Sequence, residues 1–379
     1  MRNRRILIMK LTCNRDNLIS GVNIVQKAVP AKSTAEILQG ILIEVGEELR
    51  FTGNDNEFGI VYEIPAIIEE IGSIVVNSKT FGDIVRKLPD IYVTLETIND
   101  GAMLSITSGH ANYKIKVYPT ESYPPVAFLD TSVSFDIKEK TLVDLIRQTS
   151  FAAAAQEEKR VILKGVFIEQ KEGKLSFVAI DGFRLAKKMI DVDDSREFAI
   201  VVPTKILNEL SKSIKGEEEL IHFCCNENQI MFFCDTFRMV SKLYKGDYID
   251  YRKMFPREYK TTCVVNNKSF LNAFERSSLV IQDEKKYPLT IKFMNNDEII
   301  MYVNAENGIL REVISSEVTG DEIEIGMCIR NILECLKAID EDNIIISLTH
   351  SLGPCVITGV EDKSYQYLVM PVKITSKSI

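Results

Sequence analysis

An amphipathic helical segment opened by a polar residue recurs six times in this chain, about every 63 residues, with openings near Asp16, Ser78, Thr141, Thr204, Lys268 and Arg330. The segments read RDNLISGVNIVQKAV, SKTFGDIVRKL, KTLVDLIRQT, TKILNELSKSIK, KSFLNAFERSS and RNILECLKAI. Each places apolar residues at i, i+3, i+4 and i+7, so each has one face to bury. Even spacing means one module used six times. Function is therefore expected from an assembled ring or array and its surfaces, because six near-equivalent modules offer no obvious single catalytic cleft.

The linkers group the modules in pairs. Proline-rich YPTESYPPVAFLD (Tyr118 to Asp130) interrupts the pattern after the second unit, and KGDYIDYRKMFPREY (Lys245 to Tyr259) does so after the fourth. Around each helix the flanks alternate as strands do, for example ILIEVGEELRFTG and ANYKIKVY in the first third and VFIEQKEGKLSFVAI and QIMFFCD in the second. The expected fold class is α+β: three tandem domains, each made of two strand-helix-three-strand repeats, with helices covering one face of antiparallel sheets. The domains are expected at 1–129, 130–252 and 253–379. Sheet edges at the domain ends are left free to pair with neighbours.

Composition bounds the setting. With 45% apolar and 26% charged residues the 379-residue chain can bury a large core. No run approaches the ~18 apolar residues of a membrane span, and the apolar part of MRNRRILIMK, Ile6 to Met9, is too short for a signal peptide. The eight cysteines lack the spacing of a disulfide framework, so a reduced, cytoplasmic protein is expected.

Charge is distributed unevenly. The windows 15–29, 78–88, 138–149, 204–215, 268–278 and 330–339 carry +1, +2, +1, +2, +1 and +1, so the rest of the chain holds −16 against an overall −8. Lysine and arginine are common near helix C-termini for dipole reasons. Recurrence in all six segments points instead to a polyanion on the helical side, with Lys79, Lys87, Lys205, Lys212 and Lys215 as helical contributors. Contacts to phosphates carry no sequence information, so such a surface could hold duplex DNA without stopping on it. Helices about 10 Å across, with axes ~20 Å from a duplex centre, would number about twelve around it, or two copies of six.

Several stretches carry a family resemblance over Met9 to Ile374: MKLTCNRDNL at 9–18, FTGNDNE at 51–57, VNSKTFGDIVRKLPD at 76–90, AIDGFRLA, VVPTKILNEL at 201–210, SKLYKGDYIDYRKMFP at 241–256 and the terminal YLVMPVKI at 367–374. On these the chain resembles the bacterial sliding clamp family, the beta subunit of DNA polymerase III. The resemblance implies domains of the DNA-clamp type in a head-to-tail homodimeric ring, helices lining the ring and sheets outside. It also implies a processivity role without cofactor or metal. The family's chain starts where Met9 stands here, so residues 1–8 look like an extension or an upstream start.

The same resemblance implies three sites. A hydrophobic cleft for short motifs of replicative polymerase, clamp loader, repair polymerases and other clamp-motif proteins would use Leu163, Gly182, Phe183, Arg184, Leu185, Ile249, Lys253, Met254, Pro354, Leu368, Met370, Pro371, Val372 and Lys373. Read without the family, the terminal LVMPV is a core edge strand, though Met254 and Met370 also suit an adaptable surface. Ile180, where the family often has Thr, and Phe183, where some members have His, imply a greasier pocket. Loops that touch DNA in the family match Lys32 and the Gln156-to-Arg160 run, which includes Lys159. A dimer seam would use Tyr113 and Ile115 with Val280 and Ile281. Met103, His110 and Asn112 stand where some clamps have arginines, so the seam is expected to rest on apolar contact and strand pairing.

Enzymatic readings find little support in the sequence. His110, His222 and His350 form no HExxH-like pattern, and Cys224 and Cys225, adjacent in a strand, point to opposite faces, so structural thiols are expected in place of a zinc site. The Gly53-Asn-Asp-Asn-Glu57 stretch lacks an EF-hand frame and reads as a turn. No GxxxxGK[ST] occurs. The alternatives are a peptide-binding scaffold that does not encircle DNA, against which the basic helices argue, and a nucleic-acid-processing enzyme, for which the chain lacks a catalytic constellation.

Overall fold

The computed structural model describes residues 9–281 and 288–374, so the expected extension at residues 1–8 lies outside the described residues. Among the described residues six α-helices form: α1 Arg15–Val25, α2 Ser78–Val85, α3 Glu139–Arg147, α4 Thr204–Ser213, α5 Asn267–Ser278 and α6 Ile329–Ala338. Each begins within two residues of the opening read from the periodicity. Asparagine supplies three of the N-caps: Asn14 accepts from the Asp16 and Asn17 amides, Asn77 from Thr80 and Asn266 from Ser269. The buried stripes follow the helical repeat, as Leu18, Val22 and Val25 of α1 and Ile329, Ile332 and Leu336 of α6 do.

The chain packs as two compact units, residues up to 140 with 212–243, and 141–211 with residues from 244 onwards. In the first, thirteen antiparallel strands form one sheet, with Phe58–Ile64 paired to Phe237–Lys242 where the strands of the first third meet those of 212–243. Helices α1 and α2 cross closely in this unit. A Cβ at Gly82 would lie 2.3 Å from the Gln26 Nε2 that donates to the Ser78 carbonyl at 2.7 Å, so a larger residue there would displace Gln26 from that bond. The second unit contains a nine-stranded and a four-stranded antiparallel sheet, and α5 packs on α6.

Two details correct the strand count and order. Five strands lie between α1 and α2, one more than the repeat predicts, because Phe58–Ile64 stops before Pro65 and the chain then forms Ala66–Glu70, which pairs with Lys10–Asn14. Proline has no N–H to continue the earlier ladder. The terminal Tyr365–Val369 is an interior strand, held between Arg184–Asp191 and Cys355–Gly359, so it is not an edge.

All eight cysteines are free, and five are buried. His222 Nδ1 lies 2.7 Å from Asp136 Oδ1, and Cys234 meets the Thr236 hydroxyl. Burial pushes the Cys13 and Cys355 thiols up to about 12. Each stays protonated in the folded chain where the unfolded chain ionises it, so its contribution is whole below pH ~9 and is lost as pH rises towards 12. Stability should fall by about 1.4 kcal/mol per pH unit for each such thiol in that window. Urea titrations at about pH 8 and 10.5 check this: Cys355→Ala should lose less stability over the interval than the parent chain, and equal losses would contradict it.

Candidate functional site

The Asp181-Gly182-Phe183-Arg184 turn joins two central strands of the nine-stranded sheet. Asp181 Oδ1 accepts from the Phe183 and Arg184 amides at 2.8 and 2.9 Å, and Gly182 takes φ +96°, a conformation that a side chain would strain. The turn sends its two following side chains in opposite directions. Phe183 is 68% exposed, whereas Arg184 is 7% exposed.

Arg184 is a strut beneath the turn. Its Nε donates to Asp181 Oδ2 at 2.9 Å, one terminal nitrogen donates to Glu334 of α6, and the other donates to the Phe151 carbonyl at 2.6 Å. Burial works against its charge, but Glu334 and Asp181 outweigh burial and raise its pKa. The Met370 amide donates to the Phe183 carbonyl at 2.8 Å, fixing the C-terminal segment beside the turn, and the Val372 amide donates to Gly326 at 2.8 Å.

Beneath this surface lies a dry floor. Leu163, Leu185 and Leu368 are buried in one cluster with Val178, Ile180, Tyr251 and Val356, and Met254, Tyr248 and Phe255 pack against it half-buried. Ile249, Met370 and Phe183 are exposed, while Pro354, Pro371 and Val372 are half-buried. Lys373 is exposed, and Lys253 pairs with Asp250 at 2.8 Å, a hydrogen bond that holds the Asp250 carboxyl below its usual range. The residues named for the cleft thus separate into floor, strut and exposed rim. Leu352, 63% exposed, was missed. Its turn precedes Cys355, which pairs with Val369, so it reaches the same sheet end as Met370.

The same frame is built a second time, about 126 residues earlier. Asp55 Oδ1 accepts from the Glu57 and Phe58 amides at 2.9 and 2.7 Å, and Asn56 stands at φ +74° where Gly182 stands in the later copy. This is the turn read at Gly53 to Glu57. Tyr123 donates to the Thr52 carbonyl at 3.1 Å, as Tyr248 does to Val178 at 3.4 Å. The copies differ in their floors: Thr52 and Asn54 stand where Val178 and Ile180 make the later one apolar.

Lys32, Lys79, Lys87, Lys159, Lys205, Lys212 and Lys215 are exposed, as is Gln156. On α3, α5 and α6, Arg147 pairs with Asp144 and Asp340, Arg276 with Glu312, and Lys337 with Glu275. Arg160 pairs with Glu158 at 3.1 Å and lies at the Asp181–Arg184 turn, its Nη2 3.6 Å from a Cβ built at Gly182.

Several strands leave an edge open among the described residues, Ala111–Tyr118 and Gly308–Ser315 among them. Ala111–Tyr118 pairs along 111–116 only with Met103–Ser108, because Gly72–Asn77 reaches just Val117 and Tyr118. Gly308–Ser315, in the other unit, pairs only with Glu298–Ala305. Tyr113 is exposed and Ile115 half-buried on the first edge. Near the second, Val280 is half-buried and Ile281 is 7% exposed, whereas Leu279 and Ile309, both unread from sequence, are 81% and 76% exposed.

Comparison with known proteins covers nearly the whole chain. Family models described as the N-terminal, central and C-terminal domains of the DNA polymerase III beta subunit match residues 9–127, 136–250 and 252–373. A "Beta sliding clamp" from Halalkalibacterium halodurans is 32% identical over 96% of this chain and 100% of its own. The crystal structure of the DNA polymerase sliding clamp from Bacillus subtilis aligns with a TM-score of 0.93 at 31% identity, covering 97% of this chain and all of that one. A Pseudomonas aeruginosa DnaN sliding clamp bound to griselimycin aligns at 0.90 with 25% identity, again over 97% of this chain and all of that one.

Proposed function

The chain belongs to the bacterial DNA polymerase III beta-subunit family, the sliding clamps, and from this membership we propose that it closes head-to-tail with a second copy around duplex DNA and tethers partners at the Phe183–Met370 cleft. As a member it is a replication processivity factor and not an enzyme, with DNA, polymerase and self-association as its partners. The three successive family matches support domains at 1–129, 130–252 and 253–379. Clamp loader, repair polymerases and other clamp-motif proteins are the further occupants we assign to the cleft. No helix among the described residues is long and apolar enough to cross a membrane, and we assign the protein to the cytoplasm.

The ring rests on one observation, the open edges of Ala111–Tyr118 and Gly308–Ser315, the two that carry or adjoin the seam residues Tyr113, Ile115 and Val280. They differ in sequence and belong to different units, so joining one to the other is a heterologous contact that two copies can satisfy by closing. The cleft reading is supported by exposed Phe183 and Met370 above a dry floor, where a short peptide could bury one or two apolar anchors while its polar groups stay wet. The exposed lysines of α2 and α4 and the Lys32 and Gln156–Arg160 loops support a phosphate-facing surface.

Retention on DNA tests the ring against the scaffold alternative. Once loaded, the protein should stay on circular DNA and slip from the same DNA after linearisation; equal loss from both forms would overturn encirclement. Binding to short open-ended duplex should be weak, indifferent to sequence and strongly salt-dependent, its log–log slope falling by roughly 0.9 for each phosphate contact removed. Reversing charge at Lys79, Lys205 and Lys212 together should flatten that slope and impair processive synthesis with the dimer intact. Tight, sequence-selective binding to a short duplex would contradict the proposal.

A further inference from the structure

One carboxylate serves both the strut of the cleft and the exposed face of α6. Glu334 pairs through Oε2 with buried Arg184, and through Oε1 with Arg330 Nε at 3.5 Å, one helical turn earlier. Arg330 is exposed and Glu334 half-exposed, so the chain of contacts runs from solvent on α6 to the interior. From Arg184 it continues through Asp181, which also holds the Phe183 and Arg184 amides, to the Phe183 carbonyl that receives the Met370 N–H. All of these groups belong to one compact unit.

We propose that Glu334 is a positioning residue for the partner cleft, and that a polyanion on α6 is sensed there through Arg330. The inference rests on the cleft and DNA readings above and adds a coupling between them. Arg330 and Arg184 are both cations drawn to the same carboxylate. A phosphate that draws Arg330 to itself leaves Glu334 to Arg184, which holds the Asp181–Arg184 turn more firmly and keeps Phe183 and Met370 in the arrangement an incoming peptide meets. Binding at the two places then reinforces in both directions, as linkage requires. Partners would engage more tightly on a clamp that already holds DNA than on a free one.

Calorimetry of the full chain with a polymerase-derived clamp peptide as cleft probe, with and without a short blunt duplex at low ionic strength, tests this; anisotropy of the duplex verifies that it is bound. The parent chain should bind the peptide about fivefold more tightly with duplex present, at the lower end of ordinary coupling. Arg330→Gln, at an exposed site that should not disturb folding, should show the tighter affinity without DNA and gain nothing from adding it. Glu334→Gln should bind several-fold more weakly and show no response, and Glu334→Asp should restore part of the response, which a merely structural role would not do. An affinity unchanged by bound duplex in the parent chain, or a full response in Glu334→Gln, overturns the coupling and leaves the cleft reading standing. Failure of the peptide to bind at all overturns both.

Discussion

Ending the chain at Val369 should abolish binding of polymerase and loader peptides while the dimer persists. The truncation removes Met370, Pro371 and Val372 from the rim and with them the amide that donates to the Phe183 carbonyl. It leaves Tyr365–Val369 paired on both sides and the floor of Leu163, Leu185 and Leu368 covered by the same neighbours. Two apolar anchors lose their contact surface, at ~1.5–3 kcal/mol each, so affinity should fall by at least about 100-fold. Phe183→Ala should cost less, about tenfold, because the side chain is 68% exposed before any ligand arrives and only part of it can be covered. Unchanged affinity of the truncated chain in calorimetry would place the cleft elsewhere even if the ring stood.

How much of this was legible depends on what each residue does. The six helices could be read because each buries a stripe at helical spacing, and packing in the structure uses those same positions, such as Leu18, Val22 and Val25. Ala66–Glu70 could not, because Pro65 reads as the end of a strand and not as a crossing to a new partner. At the cleft, residue chemistry alone argued for core at the chain's end, and for Leu368 and Val369 that is what the interior strand provides. Assigning Phe183 and Met370 to a binding rim needed the family resemblance, since nothing in local periodicity says that the DG turn points an aromatic outward. Leu279 and Leu352 were missed for a related reason. A single leucine next to Ser277-Ser278 or in a Ser-Leu-Gly turn has no repeat to mark it, and its exposure emerges only when the surrounding chain has packed.

That exposure decides how the dimer is best broken. The parent chain should sediment at twice the chain mass at micromolar concentration, and Leu279→Glu with Ile309→Glu should sediment as a soluble monomer. Both leucine and isoleucine are more than three-quarters exposed in the single chain, so their replacement costs little in folding and acts on assembly. Each loses ~1.5–3 kcal/mol of apolar burial, and a buried, unpaired carboxylate adds several more. Closure requires two seams, so the effect counts twice. Changing Val280 and Ile281 to alanine is less informative. Ile281 is already 7% exposed within its own unit, so its truncation weakens the fold as well as the seam. The open edge at Ala111–Tyr118 gives an independent control. Ile115→Glu should yield monomers too, because Tyr113 and Ile115 share the face of that strand on which Val117 is buried. A double variant at Leu279 and Ile309 that still sediments as a dimer would show that Gly308–Ser315 is not a closing edge, and the head-to-tail ring would fall with it.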